Sequence, residues 1–134
     1  MSFTLHPRLQ ADTARVGDLA LCRVLLMKDA RYPWLILVPK RDGLAEIDDL
    51  TPDDAALLVR EIGQATRVMR GFKGVEKVNV GALGNIVRQL HIHIVGRRAG
   101  DFAWPGPVWG VGAPSTYDPF ELEARLVGFA DLLR

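Results

Sequence analysis

Residues 88–97 read RQLHIHIVGR, with His91 and His93 two apart and Gln89 two before them. Near neutral pH an uncharged imidazole is a competent nucleophile or base, and its protonated form is a competent acid. A pair of them can divide the work at phosphorus. One attacks, and the other stabilises or protonates the leaving oxygen. If the stretch is a strand, alternation sends Gln89, His91 and His93 to one face and Leu90, Ile92 and Ile94 to the other. One face then meets a core and the other presents imidazoles. Gln89 would add a neutral amide that both donates and accepts. The preceding GALGNIV turn carries Gly81 and Gly84, which would let backbone N–H groups approach phosphate oxygens. Arg97 and Arg98 are read as a solvated strand end, with phosphate donation the sharper alternative. Two other readings compete for the histidines. They could be a solvated pair on an open face, or zinc ligands with His6 as a third. The chain has no cysteine cluster and no evident paired carboxylates, so the expectation is no metal.

Other elements must position that strand. LALCRVLLMKD (19–29) and YPWLILVPK (32–40) read as buried strands joined by a tight segment. A helix follows, with Thr51 as N-cap, Pro52 at its first position and Asp53 and Asp54 at the positive end of its dipole. Ala55, Leu58, Ile62, Ala65, Met69 and Phe72 form its apolar stripe. Gly71 and Gly74 end it, and Gly63 is expected to permit close packing on the sheet. VEKVNVGALG (75–84) reads as a third strand, and 88–97 as the fourth. DFAWPGPVWGVGAP (101–114) is too rich in proline and glycine for regular structure. Trp104 and Trp109 are expected to pack it on the body, with a lid or dimer contact as the stronger reading. Asp118, Pro119 and Glu121 open a last helix that buries Leu122, Leu126, Phe129 and Leu133. The fold class expected is α+β: a mostly antiparallel sheet with one long helix packed on it and a C-terminal helix. The 134 residues suffice for a single domain, 1–134.

Composition excludes several function classes. Lysine and arginine total 17 against 16 acids, so no global field recruits nucleic acid or an anionic membrane. Cys22 is the only cysteine, which rules out an internal disulfide and suits a reducing, cytoplasmic setting. No apolar leader and no stretch of bilayer-spanning length is evident.

QLHIHIV resembles the motif of the histidine triad (HIT) superfamily, in which three histidines alternate with apolar residues on one strand. The hairpin ending in WLILVPK, the helix after it, the LGN turn before the motif, and WP at 104–105 follow in the same order. The resemblance runs from about Leu19 to Trp109. It implies a HIT-like fold and a cofactor-free nucleotide hydrolase or nucleotidyl transferase. The reaction centre would be the α-phosphate of a nucleoside 5′-phosphate derivative, a dinucleoside polyphosphate or a phosphoramidate of a purine nucleotide. By the same resemblance His91 is the nucleophile and forms a nucleotidyl-histidine. His93 contacts phosphate and leaving group, and the backbone carbonyl of Gln89 holds the other ring nitrogen of His91. Asp29 is the match for an acid on the ribose hydroxyls, and Asn85 for a polar amide near the phosphate; both are also ordinary turn residues. A homodimer with joined sheets is implied. Glutamine at the first triad position departs from the pattern. Relatives that carry a glutamine have it third and transfer nucleotides to sugars, whereas here both phosphate-facing imidazoles remain. The alternative function is a nucleotide-binding regulatory module with little turnover.

Overall fold

Leucine and β-branched residues dominate 22–39 and 92–97, and those runs form the centre of the sheet. The computed structural model describes residues 3–134. Met1 and Ser2, the start of the segment in which no leader is expected, lie outside the described residues. The elements in chain order are α1 (Pro7–Asp12), β1 (Thr13–Asp18), β2 (Cys22–Met27), β3 (Trp34–Pro39), α2 (Pro52–Arg70), β4 (Lys77–Gly81), β5 (Ile92–Arg97) and α3 (Pro119–Leu133). A 3₁₀ turn at Ile47–Asp49 precedes α2. The strands form one five-stranded sheet in the order β1-β2-β3-β5-β4, every pair antiparallel. The α+β expectation holds.

Helix α2 starts as its sequence dictates. Thr51 Oγ1 accepts from the Asp54 N–H at 3.2 Å, Pro52 leads, and Arg67 and Arg70 sit in the last turn. Leu58, Ala65 and Met69 bury against the sheet with Val24, Leu26, Leu35, Leu37, Ile92 and Ile94. The same face carries a buried acid that the apolar stripe does not anticipate. Glu61 accepts from the backbone N–H groups of Leu21 and Cys22, both at 2.8 Å, and so caps the entry to β2. That fixes why β2 begins at Cys22 and not at Leu19. Helix α3 is capped by Asp118, whose Oδ1 accepts from the Phe120 N–H at 2.8 Å. Its Phe129 stacks on Phe72, ring centroids 5.2 Å apart, and completes this layer.

The close approach of helix and sheet falls at a different glycine from the one expected. A Cβ on Gly63 would meet only the Arg67 side chain at 3.4 Å. A Cβ on Gly96 would lie 2.7–2.8 Å from Val75, Met69 and Pro33, so β5 needs glycine there for α2 and its neighbours to close on it.

Two elements went unread in the sequence. TARVGD is polar and bulged between Arg15 and Gly17, as suits an edge strand, and gives little hydrophobic alternation. α1 has six residues and is capped by His6, whose Nδ1 accepts from the Arg8 N–H at 3.0 Å. α1 matters for the site, because its Leu9 packs on the face of the sheet opposite α2. There Leu9, Leu25, Tyr32, Trp34, Ile36, Val38, Val87, Val95 and Val108 make a second apolar cluster, with Leu5, Met27 and Trp109 at its margin. With apolar layers on both faces, β2 and β3 can be apolar at nearly every position.

Candidate active site

Strand β5 is shorter than its sequence suggested: residues 88–91 run up to it and pair outside the ladder, Leu90 N–H donating to Leu44 O at 3.0 Å. The alternation nevertheless carries through. Leu90, Ile92 and Ile94 join the α2-side cluster, while His91 and His93 face the other way. They are not solvated: His91 is 7% and His93 6% exposed. Covering the face around them, α1 and the 101–114 segment leave a cleft of about 420 Å³. Arg8, Asp12, Met27, Ile36, Asn85, Val87 and Trp109 line it together with both histidines. A second cleft, about 490 Å³, reaches His91 from the α2 side past Glu46, Asp48, Leu50 and Leu83.

The two rings are fixed in opposite tautomers by partners that can play one role each. His91 Nδ1 lies 2.7 Å from Gln89 O. A carbonyl can only accept, so Nδ1 carries a proton and in the neutral ring Nε2 holds the lone pair. Trp34 Nε1 lies 3.0 Å from His93 Nδ1. An indole N–H can only donate, so this Nδ1 holds the lone pair and Nε2 carries the proton. The ring centroids of the two imidazoles are 5.0 Å apart. One ring thus offers a nucleophilic nitrogen and its neighbour an N–H donor. Burial, and then the nearby His91, push the His93 pKa down to about 3. Trp109 packs against His93 at 5.5 Å between centroids. Gly81 makes that possible, since a Cβ there would lie 3.0 Å from Trp109 Cη2.

The structure brings His91, His93 and Asn85 to one cleft, and Gln89 reaches it only through its backbone carbonyl on His91. The Gln89 side chain is already engaged. Its Oε1 accepts from the His6 N–H at 2.8 Å and its Nε2 donates to Thr4 O at 2.9 Å. The amide therefore straps down the N-terminal segment. Asp29 is not brought to the cleft. It is buried in a bidentate pair with Arg31, Nη2 to Oδ2 2.8 Å, and accepts from the Arg31 and Ser115 backbone N–H groups. Burial works to raise its pKa, but the hydrogen bonds from Arg31 and Ser115 outweigh this and hold the carboxyl below its usual range. The acid that does line the cleft is Asp12, 3.7 Å from Arg8. Sequence reasoning missed it because α1 is so short; Pro7 after His6 was the available signal. Arg97 is not a solvated strand end either. It is 1% exposed, paired with Asp101 at 2.7 Å, and donates to Asn79. Among the described residues no three His, Cys, Asp or Glu side chains gather as a metal site.

Solved structures of similar sequence share this fold. A histidine triad protein from Bradyrhizobium japonicum shares 44% identity over the full length of both chains, with a TM-score of 0.97. One from Sinorhizobium meliloti shares 46% over 96% of each chain, TM-score 0.94. One from Marinobacter aquaeolei shares 43% over 99% of this chain and 97% of its own, TM-score 0.96. No curated protein matches in sequence. The HIT domain family matches residues 8–100, which span β1–β5, α2 and both imidazoles, and the chain belongs to that family.

Proposed function

We propose that this protein is a hydrolase or transferase acting at the α-phosphorus of a nucleoside 5′-phosphate derivative, a dinucleoside polyphosphate or a nucleoside phosphoramidate. The observation that carries the reading is the opposed pair of tautomers. The Gln89 carbonyl accepts from His91 Nδ1–H and leaves the lone pair on Nε2, and the neighbouring His93 ring, 5.0 Å away between centroids, carries its proton on Nε2 as a donor. In the first step His91 Nε2 forms a bond to phosphorus as the bond to the leaving group breaks. His93 Nε2–H stabilises negative charge on the phosphoryl oxygens. Water then attacks the same phosphorus, the P–N bond breaks, and the electron pair returns to His91. In this reading the cleft lined by Leu9, Met27, Ile36 and Val87 would take the purine nucleoside, Asp12 the ribose hydroxyls and Asn85 the phosphate. The cleft on the other side of His91 gives the departing group room.

A homodimer belongs to the same proposal. β4 is a sheet edge, and Val80, Leu83 and Ile86 expose 47%, 44% and 76% of their surface on it and just after it. An apolar edge of this kind is stabilised by pairing.

His91→Ala tests the chemistry. Turnover should fall by roughly three or more orders of magnitude with folding intact, because a covalent route is closed. A quenched wild-type reaction should carry a nucleotidyl adduct on His91 by mass spectrometry. Unchanged turnover in His91→Ala would end the reading. Tight nucleotide binding with no wild-type turnover would replace it with a regulatory binding module.

A further inference from the structure

We propose that Trp34 makes His93 a fixed Nε2–H donor with no proton to give away, so that the site serves leaving groups departing as anions. The leaving-group half rests on the reaction proposed above; the Trp34 half does not.

The indole N–H of Trp34 is a donor with no second role. Trp34 is 5% exposed, set edge-on between Tyr32 and Trp109 at centroid distances of 6.1 and 6.5 Å. Sheet register fixes its approach: Trp34 faces Val95 and Ile36 faces His93 across the β3–β5 ladder. Turning the indole away would leave a buried N–H without a partner. Protonating His93 on Nδ1 would set two N–H groups against each other and break the same bond. The imidazolium is therefore opposed by a specific contact as well as by burial. Other charged or titratable groups on this cleft are His91, Asp12 and Arg8. Arg8 and Asp12 are turned to each other, and His91 is spent as nucleophile.

The electron count follows. As His91 Nε2 bonds to phosphorus, the bond to the leaving group breaks and its electron pair departs with that group. A second phosphate keeps the pair as a stable anion, and the His93 Nε2–H bond stabilises it further. An alkylamine departing from a phosphoramidate needs a proton at that moment. His93, neutral with its one N–H in use as a donor, does not supply it, and the Gln89 side chain is engaged with His6 and Thr4.

The test is ¹⁵N imidazole spectroscopy of the free protein between about pH 5 and 9, for wild type, Trp34→Phe and Trp34→His. Wild-type His93 should show a bare Nδ1 and a protonated Nε2, with no titration across the range. Trp34→Phe should mix the tautomers and bring a titration toward the ordinary value of about 6.5. Trp34→His, which can still donate, should restore much of the wild-type signature. A protonated Nδ1 in wild type, or a Trp34→Phe spectrum unchanged at His93, would overturn the proposal. The wild-type spectrum decides this even if a variant fails to fold. The second arm compares kcat/KM for a dinucleoside polyphosphate and a nucleoside alkyl phosphoramidate. The polyphosphate should lead by about tenfold or more in wild type, roughly 1.4 kcal/mol or more in barrier height, and by less in Trp34→Phe. A lead for the phosphoramidate overturns the leaving-group half. No turnover of either overturns that half and the hydrolase reading together, while the spectra still stand or fall on their own.

Discussion

Gln89 shows how one residue can serve a site with its backbone and a chain segment with its side chain. Its carbonyl orients His91, and any residue there would supply that carbonyl. Its amide accepts from His6 N–H and donates to Thr4 O at once, a pairing an imidazole would need the right tautomer and reach to copy. Gln89→Ala should therefore keep the tautomer of His91, loosen residues 3–12, and cost about 1 kcal/mol in urea unfolding. Faster amide exchange confined to that segment would mark the role. His93 gives the pH dependence. Its pKa is lowered in the folded chain to about 3, against about 6.5 unfolded. Between these values the unfolded state binds the extra proton, so stability is full above about pH 6.5 and declines as pH falls. From about pH 7.5 to 5 the loss should be about 2 kcal/mol. His93→Gln should flatten that slope in denaturant titrations, and a slope unchanged by the substitution would assign it to other groups.

At the scale of elements, β5 is held on two sides by residues of different kinds. Gly96→Ala should cost about 1–3 kcal/mol by overpacking, since Val75, Met69 and Pro33 already occupy the space a methyl needs. The irregular segment after β5 is held by Asp101, which pairs with the buried Arg97 and accepts from the backbone N–H groups of Arg98 and Trp104. Asp101→Asn should cost about 3 kcal/mol or more, because it leaves a buried guanidinium half-paired. It should also release Trp109 from the cleft, read as faster hydrogen exchange over residues 102–110. What the sequence made legible follows the strength of local signals. Thr51-Pro52-Asp53 and Asp118-Pro119 announce helix starts by chemistry that acts within one turn. The apolar runs of β2, β3 and β5 announce strands. His91 and His93 were legible because alternation is a local rule. Asp12 and Glu61 were not, since each acquires its role from a segment far along the chain; Arg97 was not, since its pairing with Asp101 depends on how the irregular segment after β5 turns back on the strand. The polar edge strand β1 likewise becomes a strand only because β2 is there to pair with it.

The whole molecule treats its two sheet edges differently. β1 is bulged and carries Asp18 among Arg15, Arg23 and Lys40, at 3.0, 3.0 and 3.6 Å, a charged border that disfavours pairing. β4 has no such border, and sedimentation at micromolar concentration should find twice the 14.8 kDa chain mass. Val80→Arg should shift the boundary toward one chain mass, and a wild-type monomer would remove the dimer from the proposal. No helix among the described residues is long and apolar enough to cross a membrane. The aromatic packing around His93 has an optical consequence. Trp34 and Trp109 flank the ring with centroids 5.7 and 5.5 Å away, while Trp104 lies at the surface. An excited indole loses its energy to an imidazolium far more readily than to a neutral ring. The protein accordingly carries its own indicator dye: its ultraviolet emission should hold steady through the neutral range, and a change in colour on adding nucleotide would come from the indole that walls the cleft.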